Sequence, residues 1–95
     1  MNIYYLEQSE NRDYDTYDSM VVAAKSKEEA IRMSPSDCYE WNENGYWEFV
    51  YFSGKREREI PSCWVSHIDK IDCRLIGKAE TGVDAGIICY SFNAG

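Results

Sequence analysis

The sequence has one histidine, His67, two prolines, and no two cysteines closer together than ten residues. A lone imidazole leaves acid–base chemistry near neutral pH without a second partner of its kind. Cys38, Cys63, Cys73 and Cys89 form no C-x-x-C pair, and structural zinc draws on closely spaced ligands, so no metal site is expected. Neither G-x-G-x-x-G nor a phosphate loop ending in Gly-Lys-Ser or Gly-Lys-Thr occurs, which removes the two commonest nucleotide fingerprints. No segment approaches the roughly 18 consecutive apolar residues of a membrane span, and the start of the chain carries no basic region. The expected location is the cytoplasm, away from membranes. Basic residues are also few, ten Lys and Arg against 17 Asp and Glu for a net charge of -7. Affinity for a polyanion comes chiefly from phosphate neutralisation, so direct nucleic-acid binding is not expected.

What is present is a foldable core. Hydrophobic residues make up 44% of the 95 residues, and Trp, Tyr and Phe together number fourteen, too many for a disordered acidic chain. A chain this long forms one domain, residues 1–95, able to bury roughly 60 to 65% of the surface of its unfolded state. Without a secretion signal, the four cysteines read as reduced thiols acting as small buried hydrophobes.

The charge is unevenly placed. Residues 1–48 hold eleven acids against four bases, and residues 49–95 hold six of each. Five acids, Glu7, Glu10, Asp13, Asp15 and Asp18, fall in one polar stretch with Arg12, Tyr14 and Tyr17. Such a segment repels nucleic acid and suits a basic protein surface.

Asn2 to Glu7 reads as a strand, Gln8 to Asp18 as a loop without apolar periodicity, and Ser19 to Ala24 as a second strand. Ser26-Lys27-Glu28-Glu29 is a capping box opening a helix of about two turns that Ser34-Pro35 stops. Tyr39 to Glu43 and Tyr46 to Phe52 flank Asn44-Gly45, which predicts a hairpin with a type I′ turn. In the second arm Trp47, Phe49 and Tyr51 share one face and Tyr46, Val50 and Phe52 share the other with Glu48, so the strand is either covered on both sides or offers a binding face. Gly54 to Ile60 reads as a basic turn closed by Pro61. Ile68 to Ile76 alternates as a half-solvated strand, with Ile71, Cys73 and Leu75 inward. Gly86 to Phe92 is a nearly unbroken apolar run that predicts an interior strand. Together these give an α+β domain: a mostly antiparallel sheet of four to six strands with one short helix after the second strand.

Three functional classes can be weighed on these residues. Cys63 and His67 could pair as nucleophile and base, but no oxyanion nest or orienting acid accompanies them, so the chain reads as a non-enzyme without cofactor. For protein binding, Glu10, Asp13, Asp15 and Asp18 would steer a basic partner while Tyr14, Tyr17 and Trp41 anchor it, with Glu40 and Glu43 adding charge. For nucleotide sequestration, Lys55, Arg56 and Arg58 would grip phosphate while Trp47 or Trp64 stacks on a base. A homo-oligomer built through an edge strand or the aromatic hairpin is compatible with either.

Tyr14 to Ala24, the Ser26 to Met33 helix with its Ser34-Pro35 stop, and the stretch from Leu75 to Ala79 through Ser91-Phe92-Asn93-Ala94-Gly95 resemble a group of small bacteriophage and prophage proteins. The middle, Asp37 to Trp64, has no such likeness. The resemblance implies a phage origin and carries over no catalytic or ligand residue. An acidic protein of this size is similar in kind to phage inhibitors of bacterial immunity, including anti-CRISPR proteins that block a host defence complex and sponges for nucleotide signals, with a phage accessory enzyme or structural protein as the further alternative. The terminal Asn93-Ala94-Gly95 is expected to fray.

Overall fold

Alternating Ile, Tyr and Leu make Asn2–Glu7 the first strand, β1, with Tyr4 and Leu6 buried and their neighbours half-buried. The strand pairs antiparallel with β2, Thr16–Ala24, in a register that sets Leu6 against Met20 and Tyr4 against Val22. In this computed structural model, which describes residues 1–94, the remaining elements are the helix α1, Lys27–Ala30, and strands β3, Tyr39–Asn42, β4, Tyr46–Val50, β5, Arg56–Arg58, β6, Asp72–Lys78, and β7, Gly86–Asn93. They form two antiparallel sheets, one of four strands in the order β6-β1-β2-β7 and one of three in the order β3-β4-β5. The expected α+β domain, with its short helix after the second strand, is the observed one. Its seven strands are divided between two sheets, where the sequence suggested a single sheet of four to six.

Ser26 caps α1, its Oγ accepting from the Glu29 amide at 3.2 Å. Only one α-helical turn follows. Its Ala30 joins the core with Tyr4, Leu6, Met20, Val22, Ala24, Trp47, Trp64 and Val65. The two tryptophans dominate this cluster, and neither indole Nε1 has a hydrogen-bond acceptor among the described residues.

The β3–β4 hairpin forms as predicted, but with a different turn. Asn42 lies opposite Tyr46, leaving the three-residue loop Glu43-Asn44-Gly45, closed by the Gly45 amide donating to the Asn42 carbonyl at 2.9 Å. Gly45 alone in this loop takes a positive φ, 97°. That is the pattern of a type I turn followed by a glycine bulge, because a type I′ turn would require Asn44 to adopt positive φ as well. The resulting register pairs Trp41 with Trp47 and Tyr39 with Phe49 on the inner face. On the outer face Glu40 stands opposite Glu48, and Arg56 neutralises both, at 2.5 Å and 3.8 Å. Arg56 reaches them because the segment expected as a turn pairs with β4 as β5.

The larger correction concerns β7. The apolar run expected inside the sheet is its edge strand, with Ile87 37%, Ile88 52%, Tyr90 54% and Phe92 42% exposed. The three-stranded sheet and the one-turn helix are too small to cover it. Cys38 and Cys89 are likewise exposed and not buried hydrophobes, whereas Cys63 and Cys73 are half-buried and burial pushes both thiols above their ordinary range.

Candidate functional site

The acidic stretch between β1 and β2 has no apolar side chains to collapse on, so its shape comes from polar side chains turned inward. Gln8 is buried, and its Nε2 donates to the carbonyls of Asn11 and, at 2.8 Å, of Tyr17, while its Oε1 accepts from the Asn11 amide at 2.8 Å. Asn11 passes the restraint on, its Nδ2 donating to the Trp64 carbonyl at 2.5 Å. Thr16, also buried, donates from Oγ1 to the Asp13 carbonyl at 2.5 Å. Asp15 sits in the left-handed region at φ 58°, one of the few side chains that tolerate it, and its amide donates to the Asn93 carbonyl at 2.6 Å. The Asn93 side chain closes the loop by donating to Asp18 Oδ1 at 2.8 Å.

This scaffold sorts the predicted residues. Asp13, Tyr14 and Asp15 stand at the tip in solvent, Tyr14 being 70% exposed. With Arg12, Asp18, Phe92 and Asn93, the Asp13 and Tyr14 side chains line an open cleft of about 670 Å³. Asp18 and Glu10 serve structure as well as charge. Hydrogen bonds from the side chain and amide of Ser66 hold the Glu10 carboxyl below the usual carboxylate range, the amide lying 3.0 Å from Oε2. Tyr17 is not a free anchor: its ring packs edge-on against Tyr90 and tilted against Phe92, and burial raises its phenol. Trp41 lies apart from the loop, half-buried between Trp47 and His67. Sequence reasoning did not single out Gln8, Asn11 and Thr16, and it expected Asn93, which holds Asp15 and Asp18, to fray with the terminus. The one available signal was Asp15, an αL-tolerant residue in the polar stretch, and β2 starts directly after it at Thr16, three residues before the expected Ser19.

The residues weighed for nucleotide binding do not converge on an open site. Trp47 and Trp64 are 1% and 0% exposed, so neither offers a face for a base. Lys55 pairs with Glu57 at 2.9 Å, Arg56 with Glu40 and Glu48, and the Arg58 guanidinium lies 4.7 Å from the Tyr46 ring centre. A phosphate would have to displace these carboxylates first.

His67 Nδ1 lies 2.9 Å from the Asp69 carboxylate and 3.2 Å from its amide, and the imidazole packs on Trp41. Among the described residues no hydrogen bond joins it to Cys63. No group of three or more His, Cys, Asp or Glu among the described residues could hold a metal ion, and no helix among them is long and apolar enough to cross a membrane. No family model matches the chain, and neither a curated protein nor a solved structure does.

Proposed function

We propose that this protein is a non-enzymatic binding protein that blocks a basic surface of a host defence component, in the manner of a phage-encoded inhibitor of bacterial immunity. The observation that carries the reading is the construction of the Gln8 to Asp18 loop. Gln8 and Thr16, buried polar side chains, are both spent on holding a tip that presents Asp13, Tyr14 and Asp15 to solvent. A burial of that kind is unfavourable without full hydrogen bonding, and a loop that only solubilises the chain needs no such scaffold. Its benefit is preorganisation. Ordering a side chain on binding costs about 0.5–1.5 kcal/mol, and a loop already fixed avoids part of that cost. In this reading the carboxylates steer encounter with Lys and Arg on the partner, and the exposed Tyr14 supplies the anchor. The defence-directed target rests on the resemblance of the two ends of the chain to phage proteins.

The test is an infection assay across bacteria that each carry one defined immune system. Expression of the wild-type chain restores phage plaques on at least one of them. The variant Asp13→Lys with Tyr14→Ala, matched for circular dichroism and melting temperature, does not. Relief of no system by the wild type, or equal relief by the variant, removes the reading.

A further inference from the structure

The feature left unexplained by the acidic loop is β7. Gly86-Ile-Ile-Cys-Tyr-Ser-Phe-Asn93 contains no Asp, Glu, Lys, Arg or Pro, yet it forms one edge of the four-stranded sheet. Edge strands in monomeric proteins are normally blunted by charge, proline or brevity, because their unpaired backbone groups template another strand. The opposite edge, β6, follows that rule with Asp72, Arg74 and Lys78. β7 does not: at eight residues it presents about 26 Å of backbone. Its residues have the composition of an interior strand, yet within one chain Ile87, Ile88, Tyr90 and Phe92 stay 37–54% exposed, with only Tyr17 packed on the two rings.

We infer that the protein is a twofold dimer in which the β7 strands of two copies pair antiparallel, edge to edge, giving one continuous eight-stranded sheet. Three observations select a second copy as the occupant. The first is charge: a strand without ionisable carboxylates or amines can face itself without placing like charges opposite each other, although the chain as a whole carries -7. The second is the arrangement at the two ends of β7. An antiparallel pairing brings the Phe92 end of one copy to the Gly86 and Ile87 end of the other. There a groove of about 410 Å³, lined by Met33, Tyr39, Trp41 and Ile87, lies open between Arg32 and Glu40, the latter already paired with Arg56. The end that arrives carries Phe92 with Arg12, Asp13 and Asp18, so an aromatic ring meets the Met33, Tyr39 and Trp41 side of the groove and charges of both signs face Arg32 and Glu40, twice by symmetry. The third is area. The chain exposes 6094 Å², against about 5,700 Å² for a folded monomer of its mass. A strand edge alone falls short of the roughly 800 Å² that each partner of a stable interface contributes, so the pairing requires the contacts at both ends of β7 as well.

The twofold also limits register. Residues directly opposite share a face of the sheet, and successive residues alternate faces. Tyr90 and Phe92 lie on the covered face with Tyr17, so the axis passes at a residue, Cys89, Tyr90 or Ser91, and not between two. Ile88, the extra residue where β7 bulges against β2, lies outside this central stretch. The dimer shares Asp18 and Phe92 with the cleft beside the acidic tip, but its test reads chain mass and β7 exchange, so it stands or falls separately from the acidic-loop reading.

That test combines mass with amide exchange on the full chain. Light scattering after size exclusion gives twice the 11.1 kDa chain mass for the wild type. For Cys89→Lys, which places two ammonium groups beside the axis at an exposed position, it gives the single chain mass with an unchanged circular dichroism spectrum. In the wild-type dimer the outward amides of β7 exchange slowly with deuterium, and dilution to monomer releases them. A wild type that stays monomeric at high micromolar concentration overturns the inference. So does a dimer whose outward β7 amides exchange as fast as free ones, because that dimer uses another surface.

Discussion

The side-chain amide of Asn93 donates to the Asp18 carboxylate across 2.8 Å, joining the last strand to the acidic loop over 75 residues of chain. Its backbone carbonyl meanwhile accepts from Asp15. The terminus expected to fray is thus anchored as far as Asn93, and Asp18 belongs to the scaffold of the loop as well as to its charge. Asn93→Ala removes the donor from a charged, part-buried acceptor and should cost about 1.5–3 kcal/mol. Asn93→Asp sets two carboxylates face to face and should cost more. Denaturant unfolding of the two variants against wild type measures both. Equal stability of all three would show that this bond does not hold the loop.

Trp47 and Trp64 are core residues with indole N–H groups that lack an acceptor. Truncation of Trp64 to Ala should therefore destabilise the chain by about 3–5 kcal/mol through the cavity it leaves. Trp64→Phe keeps most of the ring volume and removes a buried unpaired donor, a group that costs about 1–3 kcal/mol where it stands. Its loss of stability should be well under half that of the alanine variant. Thermal and denaturant unfolding of the pair decide this, and an equal loss for both would mean that the indole N–H has a partner in solution.

Glu10 sets a pH dependence whose sign follows from its hydrogen bonds. Ser66 favours the ionised carboxylate, so its proton affinity in the fold is below the ordinary value of 4.5. A depressed carboxyl contributes stability that is present above the unfolded value and is lost as pH falls through the folded one. Glu10→Gln should thus flatten the acid limb of melting temperature below about pH 4.5 and leave a nearly constant offset at neutral pH. An unchanged acid limb in the variant would remove Glu10 as its source.

Much of the architecture was legible because it depends on local chemistry. The capping box at Ser26, the alternation through Tyr4 and Leu6, and the hairpin around Gly45 each follow from one residue type at one backbone position. What was not legible depends on distant partners. Arg56 to Arg58 became a strand because β4 offered a free edge with Glu48 opposite Arg58. The apolar run of β7 predicted an interior strand, but its place at the edge follows from the pairing order β6-β1-β2-β7, which no local pattern records. At the loop, the acids and Tyr14 could be read directly. The roles of Gln8, Asn11 and Asn93 could not, since the atoms they bond lie as far away as Trp64 and Asp18.

The central claim is that the tip at Asp13, Tyr14 and Asp15 binds a protein. Native mass spectrometry tests it most directly, on tagged chain captured gently from a bacterium with active immune systems. The comparison is with Asp13→Lys carrying Asp15→Asn, the second change chosen because Asn tolerates the φ of 58° at that position. The account predicts a large protein mass on the wild type that is absent from the folded variant. A ligand of a few hundred daltons on both, or the same protein mass on both, would contradict it.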